Sequence, residues 1–174
     1  MNEKFIQNLN KLPPDIRRQF SLLMNQYGEK KKQSNIQNDF LSFVKHVWPD
    51  FIEGKHHKRI ADKFNKLASG KIKRLIINMP PRHTKSEFGS YLLPAWMVGK
   101  NPKLKIIQST NTTELSVRFG RKAKALIDSP EFQQVFKTKL REDSQAAGKW
   151  ETAQGGEYYA AGVGSAITGR GADL

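Results

Sequence analysis

Cysteine is absent from this sequence of 174 residues, and so are long runs of apolar residues. The first absence excludes disulfide bonds and thiolate metal sites. The second argues against a membrane-spanning helix, which needs about 18 consecutive apolar residues, and residues 1–10 lack the apolar core of a signal peptide. Apolar residues make up 37% of the chain. We expect a soluble, cytoplasmic protein in which either some apolar surface is completed by another segment or chain, or part of the chain is loosely ordered.

Acidic residues are also scarce. The chain has 16 Asp and Glu against 30 Lys and Arg, which gives a formal charge of +14. Such an excess favours a polyanionic partner such as nucleic acid, although a solvated basic surface has the same composition. The excess is strongest in residues 45–74, and the sequence predicts either a DNA-contacting surface or a solvated face there.

The N-terminal residues 1–34 predict a helical extension followed by a charged linker. Pro14 and Asp15 favour the start of a helix, Gly28 favours its end, and residues 29–34 are mostly charged. Two further helices are expected before residue 70. A short one follows Asn38 or Asp39 as its cap, and a longer one spans residues 56–68.

Residues 74–127 have the pattern of a strand–helix–strand–helix unit. The segments 74–79 and 104–109 are short apolar runs typical of buried parallel strands. A helix kinked at Pro94 is expected between them, and a second helix over residues 112–127 is expected to be capped by Asn111. Beyond it, the patterns predict a short helix over 131–136, a hairpin of 149–152 with 157–161, and a loop at 169–174 that leads into a strand.

The loop between the first predicted strand and its helix has features of a phosphate site. Phosphate binding needs backbone amides at the start of a helix, a lysine, and a hydroxyl that ligates Mg²⁺. Lys85 and Ser86 meet the last two needs. In the pattern G-x-x-x-x-G-K-[ST], however, Met79 and Thr84 stand at the two glycine positions. The pattern alone therefore leaves open an ordinary strand–helix loop with a solvated lysine.

A longer stretch around this loop resembles one family. Residues 79–87, Met-Pro-Pro-Arg-His-Thr-Lys-Ser-Glu, closely resemble the deviant Walker A loop of the large terminase subunits of tailed phages, the ATPases that pump DNA into capsids. Similar segments occur at 51–57, 93–96, 114–119 and 162–174, so the resemblance covers about residues 38–174. In that family an arginine replaces glycine inside the loop.

The resemblance implies an α/β fold, namely an incomplete P-loop NTPase. It would have a parallel sheet with flanking helices, of the additional-strand terminase type, preceded by an N-terminal helical segment. Residues 1–34 would form that segment and residues 35–174 the ATPase domain. The family's Walker B strand, its catalytic acid and its nuclease domain would follow Leu174. We therefore expect the chain by itself to be inactive. Because an apolar sheet edge would be left exposed, we also expect it to oligomerise, to aggregate or to depend on a C-terminal partner.

The resemblance also assigns roles to single residues. ATP and Mg²⁺ are the implied ligands, with Ser86 as the metal ligand, and catalytic roles fall to Arg82 at the γ-phosphate and to Arg170 as a finger reaching a neighbouring subunit. Arg118 and Arg121 are rivals for the finger. The residues implied to contact the nucleotide are Pro81, Arg82, His83, Thr84, Lys85, Ser86, Glu87 and, near the adenine, His57.

Other residues have two open interpretations. Phe51 and Ile52 would pack on the base or belong to the core, and His56 is the alternative to His57 at the base. Two adjacent histidines without neighbouring acids do not predict a metal site. The three tryptophans, Trp48, Trp96 and Trp150, are expected in the core or an interface and not as base-stacking platforms.

The implied partners are those of a packaging motor. They are double-stranded DNA, the portal protein, the small terminase subunit, a homo-oligomeric ring and the missing C-terminal half, with no membrane, in the host cytoplasm at the procapsid portal. The alternatives are a fragment of a helicase-like motor, a non-catalytic basic DNA-binding or assembly module, and the N-terminal half of a split or intein-interrupted terminase.

Overall fold

The structure is a computed structural model that describes residues 13–174. The chain divides into two compact units, Met1–Asn35 and Ile36–Leu174. The first twelve residues of the predicted N-terminal extension lie outside the described residues. Helix α1 spans Pro14–Asn38. The prediction that Gly28 ends this helix and that 29–34 is a linker was wrong. A glycine inside a helix costs only about 1 kcal/mol relative to alanine, and the lysines and glutamine that follow are good helix formers.

The second unit begins its fold with two amphipathic helices. Helix α2 spans Phe40–Val47 and is capped by Asp39, whose carboxylate accepts from the Ser42 amide at 2.8 Å. Helix α3 spans Lys55–Ala68. Asn65 of α3 bonds both the Asp39 carboxylate and the Phe40 amide, so α3 is tied to the start of α2. Both predicted helices are confirmed to within a residue.

Residues 85–100 are helical without a break, but the helix is irregular. Helix α4 (Lys85–Glu87) passes into a π-helical turn at Phe88–Leu92 and then into α5 (Leu93–Lys100). The Leu93 amide donates to the Phe88 carbonyl, five residues back. Pro94 has no amide to donate, so a widened turn just before it resolves the conflict with regular helical bonding. The irregularity predicted at Pro94 thus takes the form of a π-helical turn on its N-terminal side.

The sheet has four strands in the order β1-β4-β3-β2. Strand β1 (Lys105–Thr110) pairs in parallel with β4 (Glu157–Gly162), and β3 (Lys149–Thr152) pairs antiparallel with both β4 and β2 (Leu140–Ala146). The chain is therefore an α/β protein with a mixed sheet and flanking helices. The predicted hairpin is confirmed. Strand β2 was not predicted, because its sequence is polar and lacks the alternation of a half-buried strand.

The predicted strand at 74–79 is not a strand of the sheet. These residues are extended but belong to no ladder, and only alternate side chains are partly buried. Leu75 and Ile77 pack against the core, whereas Ile76 is 86% exposed. An apolar run identifies a segment suited to a sheet, but a strand also needs a neighbour with which to share hydrogen bonds. The predicted parallel pairing of 74–79 with 104–109 is therefore wrong for this structure.

Helix α6 (Thr113–Ile127) covers one face of the sheet, and the short helix α7 (Pro130–Val135) follows it. The cap of α6 is Thr112, whose hydroxyl accepts from the Leu115 amide, and not the predicted Asn111. Under α6, the rings of Trp150 and Tyr158 stack with centroids 4.7 Å apart. The Trp150 indole also donates to the Gly120 carbonyl.

The core of the second unit joins these helices to the sheet. Phe40 lies at its centre and meets the rings of Phe64, Phe88 and Trp96 edge to face, at centroid distances of 4.9 to 5.5 Å. Such contacts add about 0.5–1.5 kcal/mol each beyond the burial of apolar area. Phe88 directly follows α4 and is completely buried, so the helix that begins at Lys85 is anchored in this core.

Candidate functional site

The candidate site is the loop Met79–Ser86, called here the 79–86 loop. Two of its residues, Arg82 (φ 62°) and Thr84 (φ 59°), adopt the left-handed conformation although neither is glycine. This conformation costs an L-residue roughly 1–2 kcal/mol, so surrounding contacts must hold it in place. The strained backbone therefore lies in the segment that the sequence predicted as a phosphate-binding loop.

The loop leads directly into the first turn of a helix. The Phe88 amide donates to the Thr84 carbonyl at 2.9 Å, which closes the first helical turn. Within residues 13–174, no group accepts a hydrogen bond from the amides of Lys85 and Ser86. Amides in the first turn of a helix carry the positive end of the helix dipole and are available to an anion.

Charged and hydroxyl side chains surround these free amides. Lys85 and Ser86 are exposed, and the Lys85 ammonium lies 3.5 Å from the Met79 carbonyl at the other end of the loop. Arg82 is exposed and has no ion-pair partner among residues 13–174. The loop therefore presents two cations, free amide donors and a hydroxyl to solvent on one short stretch of chain.

Thr84 is joined to His57 in the first turn of α3. The His57 Nε2 and the Thr84 Oγ1 are 2.6 Å apart. The Gly54 amide donates to the His57 Nδ1 at 2.9 Å, and the Thr84 hydroxyl donates to the His83 carbonyl at 2.7 Å. His57 is 5% exposed. A buried histidine thus connects the start of α3 to the strained part of the 79–86 loop.

Two more histidines lie beside this connection. The His56 ring is 3.8 Å from the His57 ring, between centroids, and 5.7 Å from the His83 ring. Burial lowers the pKa of His57, the neighbouring His56 and His83 lower it further, and Glu53 opposes them. The His57 ring therefore favours its neutral form more than an exposed histidine does.

Glu53 stabilises the turn that precedes α3. Its carboxylate pairs with Lys45 at the end of α2 and with Lys58 in α3, the latter at 2.8 Å. These two bonds lower the pKa of Glu53 to about 2. Glu53 directly precedes Gly54, whose amide donates to His57. The two ion pairs of Glu53 therefore also support the contact between α3 and the 79–86 loop.

The structure brings together most, but not all, of the predicted site residues. Pro81 to Glu87 are contiguous, and His57 joins them through Thr84. Arg170 is engaged elsewhere, because its guanidinium pairs with Glu157 at 2.7 Å and lies 3.9 Å from the centre of the Tyr159 ring. Glu157 opens β4 beside Lys105, so Arg170 lies at the N-terminal ends of the two parallel strands. Its role as a finger stays a prediction, as do those of its rivals.

The other sequence-predicted residues have clear places. Both ring nitrogens of His57 already have hydrogen-bond partners, namely the Gly54 amide and the Thr84 hydroxyl. The predicted contact of His57 with adenine stays a prediction. Phe51 packs against the core beside Trp48, and Ile52 is 88% exposed. The tryptophan prediction is confirmed for Trp96 and Trp150, which are completely buried. The bond between His57 and Thr84 was missed. Its one signal in the sequence is a hydroxyl residue at a position where the pattern has glycine.

The structure also bears on metal binding and on membrane insertion. Within residues 13–174, no three His, Asp or Glu side chains cluster as metal ligands. None of the helices in this part of the chain combines the length and apolar character needed to cross a bilayer. Comparison of the chain with protein-family models, curated proteins and solved structures gives no match.

Proposed function

We propose that the 79–86 loop binds the phosphates of ATP and that the chain is the nucleotide-binding part of a P-loop ATPase. The observation that carries the proposal is the geometry of the loop. Two non-glycine residues are held in left-handed conformations directly before a helix whose first amides are free. Strained backbone of this kind concentrates at binding sites, and free amides at a helix start suit phosphate oxygens.

The side chains of the loop would supply the remaining interactions. Lys85 would bind the β- and γ-phosphates, and the Ser86 hydroxyl would hold Mg²⁺. Arg82 would grip the γ-phosphate with its planar fork of donors. Their exposure and their lack of ion pairs within residues 13–174 leave all three available to a ligand.

A groove beside β1 supports the P-loop fold. Asp173 and Leu174 lie along the edge of β1 that β4 does not occupy, where the Asp173 amide donates to the Lys105 carbonyl at 2.8 Å. The groove of about 680 Å³ next to them is lined by apolar residues of 74–77 and α5. We infer that a strand parallel to β1 fits between β1 and the 74–79 segment. A carboxylate at the end of such a strand would face the 79–86 loop, as ATP hydrolysis requires.

The specific identity that we propose is the ATPase part of a phage terminase large subunit, on the basis of the motifs described above. Such a protein couples ATP hydrolysis to the translocation of double-stranded DNA. It would act as a homo-oligomeric ring with the portal protein and the small terminase subunit, in the host cytoplasm at the procapsid. The net charge of +14 is consistent with a DNA partner.

Titration calorimetry with ATP and Mg²⁺ tests phosphate binding. We expect the wild-type chain to bind and the Lys85→Ala variant to lose at least about tenfold in affinity, which corresponds to 1.4 kcal/mol. Lys103→Ala is the matched control, because Lys103 is an exposed lysine in the turn before β1. Equal binding by Lys85→Ala and wild type would refute the proposal.

A second candidate function is DNA binding that does not depend on nucleotide. It is favoured by five exposed basic residues that have no ion pair within residues 13–174, namely Lys55, Arg59, Lys71, Lys73 and Arg74. Salt-dependent binding of duplex DNA that is weakened by Lys71→Ala with Lys73→Ala, and is indifferent to ATP and to Lys85→Ala, would support this function alone.

A further inference from the structure

The contact between His57 and Thr84 has only one consistent arrangement of protons. A backbone amide can only donate, so the His57 Nδ1 that faces the Gly54 amide is unprotonated. The proton of the neutral ring is then on Nε2, which donates to the Thr84 Oγ1. The Thr84 hydroxyl in turn donates its own hydrogen bond to the His83 carbonyl. The chain of three hydrogen bonds therefore runs from Gly54 through His57 and Thr84 to His83.

These bonds act on the most strained part of the loop. Thr84 has φ 59° and ψ 13°, a conformation that a β-branched residue rarely adopts. Glycine would take this conformation without strain but would offer no oxygen to His57. The threonine thus combines an unfavourable backbone conformation with a bond to α3, which is anchored in the core.

The bonds also set the direction of one amide. In a planar trans peptide the carbonyl and the following amide point in opposite directions. Because the Thr84 hydroxyl holds the His83 carbonyl, it also fixes the direction of the Thr84 amide. That amide is the last one before Lys85 and belongs to the proposed phosphate cradle.

We propose that His57 is a positioning residue for the 79–86 loop, and that its neutral ring holds the loop ready for phosphate through the Thr84 hydroxyl. This inference rests on the proposed phosphate binding. The buried His57 ring packs against the rings of Phe51 and Phe88, at centroid distances of 4.7 and 5.0 Å, and acts through Thr84.

The arrangement makes the loop sensitive to acid. A second proton on His57 would occupy Nδ1 and would face the Gly54 amide, so two donors would oppose each other. The charged and titratable groups around His57 are His56 beside it, His83 in the loop, and Glu53, whose charge is shared with Lys45 and Lys58. Protonation of His57 is therefore expected to break its bond with the Gly54 amide and to displace the ring, which loosens the position of Thr84 and weakens phosphate binding.

Variants of Thr84 separate the hydroxyl from the shape of the side chain. Thr84→Ser keeps the oxygen, and Thr84→Val keeps the branched shape but loses the oxygen. In calorimetry with ATP and Mg²⁺ near pH 7.5, we expect Thr84→Ser to stay within about threefold of wild type and Thr84→Val to bind about tenfold more weakly, the loss of roughly one hydrogen bond. Equal affinities of Thr84→Ser and Thr84→Val would overturn the proposal.

Variants of His57 test the same link from the other side. His57→Phe fills the space of the ring and is expected to bind about tenfold more weakly. The double variant with Thr84→Val should lose no more than either single one, because both remove one bond. His46→Phe is the matched control, since the His46 ring bonds the Glu131 carbonyl away from the loop. Additive losses in the double variant would overturn the proposal.

Two readouts separate a positioning role from a structural one and from failure of the proposed function. The fall in ATP affinity between about pH 7.5 and about pH 5.5 should be smaller in Thr84→Val than in wild type.

Nitrogen NMR of the imidazole, recorded without nucleotide, should show that His57 is protonated on Nε2 alone. An ordinary mixture of tautomers overturns the positioning role of His57 even if ATP binds. If Lys85→Ala binds ATP like wild type although His57 is protonated on Nε2, the proposed phosphate binding fails. The positioning role of His57 then fails as well, whereas the hydrogen bond between His57 and Thr84 stands.

Discussion

The Ile107 amide, in the middle of β1, donates a hydrogen bond of 2.9 Å to the carbonyl of Leu174. With the bonds between Asp173 and Lys105, this contact places residues 173 and 174 along the free edge of β1. Residues 172–174 in turn line the apolar groove that 74–77 and α5 border. A strand in this position would satisfy backbone groups and bury apolar surface at once.

Adding about six alternating β-branched residues after Leu174, the length of an average strand, should therefore stabilise the protein. Each backbone bond contributes about 0.5–1.5 kcal/mol net, and 1 kcal/mol raises the melting temperature of a chain of this size by about 2–4 °C. Thermal unfolding followed by circular dichroism measures the change. A Gly-Ser extension of equal length is the control, and an equal effect of both extensions would show that no strand forms.

Gly120 lies where α6 presses on the sheet. A Cβ at this position would come within 2.4 Å of the Ala147 carbonyl oxygen and 2.8 Å of the Tyr158 ring. Gly120→Ala is therefore expected to destabilise the second unit by about 1–3 kcal/mol, measured as a lower midpoint of urea unfolding. An unchanged midpoint would mean that α6 packs less closely than described.

Gly28→Ala is the matched contrast. Gly28 lies inside α1, and no atom lies within 4 Å of the position of a new Cβ. Alanine there is expected to stabilise the helix by about 0.5–1 kcal/mol. Hydrogen exchange of the α1 amides measures this directly. Faster exchange in the variant would contradict the assignment of residues 14–38 as one helix.

Glu53 should contribute a specific pH dependence. Its bonds with Lys45 and Lys58 lower its pKa from 4.5 to about 2. The folded state therefore releases this proton more readily than the unfolded state, and the resulting stability is present above pH 4.5 and is lost as the pH falls toward 2. Urea unfolding at about pH 6 and about pH 3 should show a smaller loss of stability in Glu53→Gln than in wild type. An identical loss in both proteins would exclude this role.

The sequence predicted best those elements whose signals are local. Asp39 as a cap, the helical periodicity of α3 and the apolar run of β1 were each sufficient to locate an element. The prediction failed where the outcome depends on distant neighbours. Residues 74–79 have the composition of a strand, but whether they join a sheet depends on what lies beside them. Conversely, the polar segment β2 is a strand because it pairs antiparallel with the edge of β3.

The same distinction holds for the candidate site. The position of Lys85 and Ser86 at the start of a helix followed from the order of the elements. The bond between His57 and Thr84 joins residues 27 positions apart, and no spacing rule relates them. The pairing of Arg170 with Glu157 is likewise a tertiary contact, which a glycine-rich sequence around the arginine does not indicate.

The two neighbours of β1 have a consequence for the order of folding. Lys105 opens β1, yet it pairs with Glu157 on one side and with Asp173, 68 residues later, on the other. Contacts between residues so far apart in sequence form slowly, because a long loop must close before they do. During synthesis both edges of β1 therefore stay unpaired until residues 157 and 173 have left the ribosome. Unpaired strand edges of this kind can pair with other chains in that interval.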